Sequence, residues 1–383
     1  MQIEVLGLFL SEQPVSHVMM AIKIFVLINI LLIITTMLTY AERRIVARMQ
    51  NRIGPNRVGP FGVLQGFADL VKLVTKEDLI PSNADKIVFT LAPIMIMAPA
   101  LMMFAVIPFS PNLVLADLDI GIFYVIAVAS LGSLGVFAAG WASNSKYSLY
   151  GAVRGVAQLI SYEIPLILSV TAVVLLAGSL NLQDIVGAQK LPFIFVQPLA
   201  FVITLFAVAA ELNRTPFDLN EADSEIVAGF HTEYSGTKFA LIYGTEFLAA
   251  FGWSLVIALL FLGGWNPSFG GLFFLMIKTG SILFLFFWFR GTWPRVRIDQ
   301  ILAIAWKLMF PIATVNILIT GAQILFVQQV FGIFPGEALS IQALSVISVM
   351  NIGLFVLLLF ILPFNKGLSE FENQMRVHQK GIE

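Results

Sequence analysis

Cysteine is absent from this chain, so neither a disulfide framework nor a thiolate-held iron–sulfur cluster resides in it alone. Any electron carrier it works with comes from elsewhere. Histidine is scarce as well: His17, His231 and His378 are too scattered to suggest a metal site, and His231 alone lies in a segment rich in other polar groups, where a hydrogen-bonded structural role is as good a reading as a catalytic one. There is no P-loop, no G-x-G-x-x-G on a strand-to-helix turn and no Cys/His metal pattern. Above all the chain is short of charge. Asp, Glu, Lys and Arg make up 12% of it, against about 25% in an ordinary soluble domain. Water is excluded as its main solvent.

What fills the space is apolar: 58% of residues are hydrophobic and the mean hydropathy is +0.91. These residues come in blocks near the length of about 20 that crosses roughly 30 Å of hydrocarbon. Read against turn and charge signals, they predict spans at 18–40, 87–109, 119–142, 158–178, 192–211, 239–263, 271–290, 301–330 and 340–362. The window at 158 opens on Gln158, Ser161 and Glu163 and is the weakest signal. Each span should be helical, because hydrocarbon offers the backbone no other hydrogen-bond partner. The expected fold is an all-α, polytopic membrane bundle of about nine helices, with no separate soluble domain. The first stretch lacks a secretory signal's short apolar core and small-residue cleavage site, and it contains Lys23, so it reads as a retained span.

Lys and Arg are distributed very unevenly. Eighteen of the 22 fall in the segments that alternate spans place on one side, and Lys190 is alone in a loop on the other. The positive-inside rule then puts the N-terminus outside and the C-terminus in the cytoplasm.

Two of these cytoplasmic segments carry most of the information. In residues 42–81, Arg43, Arg44, Arg48, Arg52 and Arg57 stand among Gly54, Pro55, Gly59 and Pro60, a bent backbone. Phe61, Val63, Leu64, Phe67, Leu70, Val71, Leu73 and Val74 then face Gln65, Asp69, Lys72 and Lys76, the pattern of an amphipathic helix lying on the bilayer surface. An entrance for an amphiphile with a polar head fits this segment; anchoring of lipid headgroups by the arginines is the plainer alternative. The other segment, 211–239, holds Glu211, Asp218, Glu221, Asp223, Glu225 and Glu233, and Glu246 follows inside the next span. A short helix from Asp218 to Ile226 would put Asp218, Glu221 and Glu225 on one face. Crowded carboxylates beside a low-dielectric region push at least one pKa up towards neutrality. A solvated acidic face is the alternative, weakened by the interleaved Phe217, Ile226, Val227 and Phe230. Ionisable groups inside spans default to function. Glu163 and Glu246 qualify, and Lys278 and Lys307 read equally well as snorkelling side chains. Pro165, two residues after Glu163, is expected to loosen that helix and admit water.

Four stretches, ERRIVARMQNRIGPNRVGPFGVLQGFADLVKLVTKED, GWASNSKYSLYGAVRGVAQLISYE, ELNRTPFDLNEADSEIVAGFHTEYSG and WPRVRIDQILAIAWKLMFP, together resemble the H-subunit family of bacterial respiratory complex I, related to a mitochondrial subunit. The resemblance covers most of residues 16–330 and implies a core of eight spans over 1–330, with 331–383 adding one more transmembrane helix and a cytoplasmic tail. It implies a subunit of NADH:quinone oxidoreductase at the heel of the complex that binds no cofactor by itself. Quinone is the substrate, and FMN and iron–sulfur clusters belong to partner subunits. Those partners are the peripheral quinone-site and iron–sulfur subunits and small membrane-arm subunits, with the bilayer around them and no nucleic acid. By the same resemblance Glu42, Arg43, Arg52, Asp69 and Lys72 frame quinone entry. Arg154, Arg290, Arg295 and Arg297 surround the chamber, while Glu163, Glu211, Asp218, Glu221, Asp223, Glu225, Glu233 and Glu246 form a proton path. Position 223 is Asp where many relatives have Glu, one methylene shorter. Two alternatives stand beside this reading. One is the equivalent subunit of a membrane-bound hydrogenase-type complex without quinone; the other is an independent secondary transporter, against which the absence of matched broken helices counts.

Overall fold

Each apolar block closes its backbone hydrogen bonds within itself, as hydrocarbon requires. A computed structural model describes residues 14–111, 113–218, 226–266, 271–331 and 339–361. The helices are α1 (Pro14–Met49), α2 (Gln65–Thr75), α3 (Lys86–Met103), α4 (Gly121–Ala142), α5 (Lys146–Ala177) and α6 (Leu182–Ala188). There follow α7 (Phe193–Val196), α8 (Pro198–Glu211), α9 (Gly236–Phe261), α10 (Gly271–Thr292), α11 (Ile298–Phe331) and α12 (Ile341–Ile361). Among the described residues there is no strand, and a lone bridge joins Ser110 to Leu113. Seven of the helices, α1, α3, α4, α5, α9, α10 and α11, are long and apolar enough to cross a membrane. The protein is a polytopic membrane helical bundle, and α2 is the expected surface helix.

The end of the Leu, Val and Ala-rich α9 forms the axis. From Phe247 to Phe261 nearly every residue is buried. Helices α1, α3, α8 and α10 pack against it, and the outer helices turn Leu, Ile and Phe outward, as on α1, where Phe25, Ile30 and Ile33 are exposed. Local chemistry sets several boundaries. Asp85 caps α3 by accepting from the Ile87 and Val88 amides, Asn181 caps α6, and α5 stops at Gly178, whose φ of 71° is the left-handed conformation glycine adopts freely.

Four expectations are corrected. The fourth span begins at Lys146, twelve residues before the predicted start. Gln158 misled because its amide nitrogen finds partners inside the bundle, donating to the Ala210 and Phe217 carbonyls and to Asn213 Oδ1. Helix α5 runs unbroken through Pro165, braced by Tyr162 and Ser161, which hydrogen-bond the Ile301 carbonyl and the Trp306 indole of α11. The interruption falls instead in the fifth span, where Gln197 leaves helical geometry between α7 and α8. In α11 the backbone widens to a π-helix over Ile304–Met309. The second span ends at Met103, six residues short of the predicted 109. The short helix expected from Asp218 to Ile226 has its Glu221, Asp223 and Glu225 outside the described residues, as does the tail beyond 361.

One end of the bundle gathers the charged segments. Leu79 N donates to Ser235 Oγ, Ser148 Oγ to the Phe230 carbonyl, Asn144 to the Asn83 carbonyl and Val296 N to the Pro216 carbonyl. At Gly151 of α5 a Cβ would lie 2.8 Å from the Gly229 backbone, so this approach needs glycine. Gly151→Val should destabilise the protein by about 1–3 kcal/mol through overpacking, read as a lower midpoint of thermal unfolding, whereas Gly280→Val, with open space before it, should leave it unchanged.

Candidate functional site

Glu42 is the centre of the charged end. It stands near the end of α1, 4% exposed, and accepts from Arg214 Nη1 at 2.9 and 3.0 Å and from Arg290 Nη1. Arg214 is equally buried, and its guanidinium lies 4.6 Å from the Phe247 ring centroid of α9. A single carboxylate therefore ties α1, the turn after α8 and the end of α10 together in a dry place, where such a pair is weakly screened. Further out, Arg295 reaches Asp218 at 3.2 Å. On the flank, Arg43 of α1 bonds Asp69 of α2 at 2.5 Å, with Lys72 3.7 Å from the same carboxylate. This fixes the surface helix, whose Leu70, Val71 and Val74 remain exposed. Gly66 brings α2 so close to α1 that a Cβ would lie 2.5 Å from the Thr36 carbonyl oxygen.

Behind this cluster is a cavity of about 110 Å³ between α3, α4, α5, α8 and α9, lined among others by Glu163, Glu211, Glu246, Asn213, Thr245 and Trp253. Such a space holds several waters. Three carboxylates that are 35 to 83 positions apart in sequence thus share one chamber. Glu211 Oε2 is buried with no hydrogen-bond partner, and its carboxylate feels the charge of Glu163 and faces the Trp253 indole, while Ser130 supports Glu163. Glu246 lies ten residues into α9, about 15 Å from its start. The remaining wall is mostly apolar, with Ile96, Met103, Leu159 and Ile242 beside Ser133.

The other expected residues are placed differently. Arg52 is exposed and bonds Gln50. Arg297 is exposed at the start of α11, Arg154 is half-buried on α5, and Glu233 is half-buried in the 226–235 segment, away from the cavity lining. Sequence reasoning missed Arg214 as more than a loop cation. Its signal was its place three residues beyond Glu211 at the edge of an apolar block, where a lone cation needs a partner. Gln158, Asn213 and Trp253 carried no comparable signal.

The family model for NADH dehydrogenase matches residues 22–321. The chain belongs to the NADH dehydrogenase family. It is 51% identical over 302 residues to the NADH-quinone oxidoreductase H subunit of Dehalococcoides mccartyi (strain CBDB1), which covers 79% of this chain and 84% of the relative. It is 54% identical over 288 residues to the protein of the same name from Bacillus mycoides (strain KBAB4), with 73% and 86% covered. In this NADH dehydrogenase family member the matched region contains both the Glu42 cluster and the carboxylate cavity, and stops before α12.

Removing one partner of a buried pair leaves the other charge uncompensated, at about 3–5 kcal/mol. Arg214→Met should therefore lower the yield and thermal midpoint of the protein sharply. The double variant Arg214→Met with Glu42→Gln should recover part of the loss, and strict additivity would show that the two side chains are not coupled.

Proposed function

We propose that this chain, a membrane subunit of an NADH:quinone oxidoreductase, admits quinone beside α1 and α2 and passes the electrostatic consequence of its reduction to the carboxylate cavity. The observation that carries the reading is the pair Asn213 and Arg214. One lines the cavity and its neighbour holds Glu42, so a disturbance of the ion pairs acts on the cavity wall through a single peptide unit.

The entrance reading is supported by the chemistry of α2. Its exposed apolar side chains meet lipid tails, and Arg43, Asp69 and Lys72 stand at the level of a polar head. Arg290, Arg295, Arg297, Arg154 and Arg52 then surround the inner chamber and the contact with the peripheral subunits. Those partner subunits supply FMN, the iron–sulfur clusters and the direct hydrogen bonds to the quinone head. This chain contributes the passage and the proton path. Reduction brings up to two electrons and two protons into the chamber. At an effective dielectric constant of about 20, a unit charge about 10 Å away changes a carboxylate's energy by roughly 1.7 kcal/mol, more than tenfold in occupancy. Asp218, Glu211, Glu163 and Glu246 are the groups that answer it, and Glu221, Asp223, Glu225 and Glu233 of the acidic segment belong to the same proton path. The N-terminus is outside and the charged end faces the cytoplasm, across the cell's inner membrane.

Glu163→Gln and Glu211→Gln should each give an assembled complex that oxidises NADH with a hydrophilic artificial acceptor, while quinone-dependent turnover and proton pumping fall by about tenfold or more, as for loss of a positioned proton carrier. Normal pumping in both variants would refute the proton path. For the entrance, Arg43→Ala should weaken inhibition by quinone-site inhibitors several-fold, and an unchanged inhibition curve would reduce the arginine to an anchor for lipid headgroups.

A further inference from the structure

Helix α8 has 14 residues and is about 21 Å long, too short to cross roughly 30 Å of hydrocarbon alone. The fifth crossing is completed by the single turn of α7, after a break at Gln197 (φ −132°, ψ 61°). A helix end leaves its last carbonyls without intrahelical partners, and within a membrane no water takes them up. Two of the orphan carbonyls at this break are met from α12: Ser348 Oγ donates to the Phe195 carbonyl at 2.7 Å and Asn351 Nδ2 to the Val196 carbonyl at 2.8 Å. Gln323 of α11 orients Asn351, donating to its Oδ1 at 2.7 Å. The side chain of Gln197 is held by Asn316 and Thr320 of α11. All six of these polar side chains are buried.

The rest of α12 is built for the same contact. Ser340 caps its start, its hydroxyl accepting from the Ala343 amide. Ala343, Leu344 and Ile347 are buried in line with Ser348 and Asn351, a stripe at helical spacing. The opposite face presents Ile341, Val349, Met350, Ile352 and Val356 outward, in keeping with lipid. Within hydrocarbon, apolar faces gain little from each other, and interhelical hydrogen bonds and close packing determine where a helix sits. The register of α12 is therefore set by the break it fills.

We infer that α12 is a strap that completes the interrupted fifth crossing, and that Ser348 and Asn351 are positioning residues which, through α7 and α8, hold Glu211 at the depth of the carboxylate cavity. Glu211 is the last residue of α8, so any slippage or fraying at the break moves it along the helix axis. The link to Glu211 rests on the proton-path reading; the strap itself does not.

The test uses the assembled complex with Ser348→Ala, Asn351→Leu and both together. Amide hydrogen exchange reads local opening directly. A bond of the usual intramembrane strength predicts about threefold faster exchange over Phe193–Ala200 for one loss and about tenfold for both, with no change over Phe247–Phe261 of α9. Ser348→Thr, which keeps the hydroxyl, should restore the slow exchange. Unchanged exchange over Phe193–Ala200 in the double variant would overturn the strap. Protons pumped per electron should fall in the double variant, and adding it to Glu211→Gln should give no further loss. Faster exchange with an unchanged pumping ratio would overturn the positioning of Glu211. Should Glu211→Gln itself pump normally, the proton-path reading fails, and the exchange measurement still decides the strap.

Discussion

Hydrocarbon supplies no hydrogen bonds, and almost every feature of this protein answers to that constraint. It makes the apolar blocks helical, and it turns polar side chains within them inward to named partners. Gln158 gives its amide to the turn after α8, Gln197 and Asn351 serve the break in the fifth crossing, and Glu42 is enclosed by Arg214 and Arg290. In water each of these groups would be satisfied by solvent and would specify little. Inside the bundle each has few solutions, so it fixes which helices meet and at what height.

The same constraint separates two kinds of charge. At the Glu42 cluster, opposite charges are in direct contact, and the arrangement joins three elements that are far apart in sequence. In the cavity, Glu163, Glu211 and Glu246 gather with no Lys or Arg among the described residues of the lining. Three groups of one sign form no ion pair with each other, so they do not join elements as the Glu42 cluster does. Asn213 and Arg214 bring the two regimes within one residue of each other, which is why the proposed coupling is set between them.

Much of the fold was legible from pattern: the apolar blocks, the surface helix after α1 and the crowding of charge at one end. The misreadings have a common cause. In the sequence Gln158 resembles a span's edge and Pro165 a break, because polarity and proline along one chain say nothing about the neighbours that accommodate them. Gln197–Pro198, a pair with equal claim to notice, carries the actual interruption because α11 and α12 supply its partners.

By itself, then, the sequence determined that the chain crosses the membrane as helices, where most of its crossings lie to within a few residues, and that its basic and acidic segments share a side. Composition and periodicity suffice for this, since transfer into hydrocarbon depends on each segment's own side chains. Which carboxylate is paired and which shares a cavity was decided by tertiary structure alone. Glu42, Glu163, Glu211 and Glu246 are the same kind of group at the edges and interiors of similar helices, and only the packing of α1 with α10 and of α8 with α5 and α9 gives one of them arginines and the others each other.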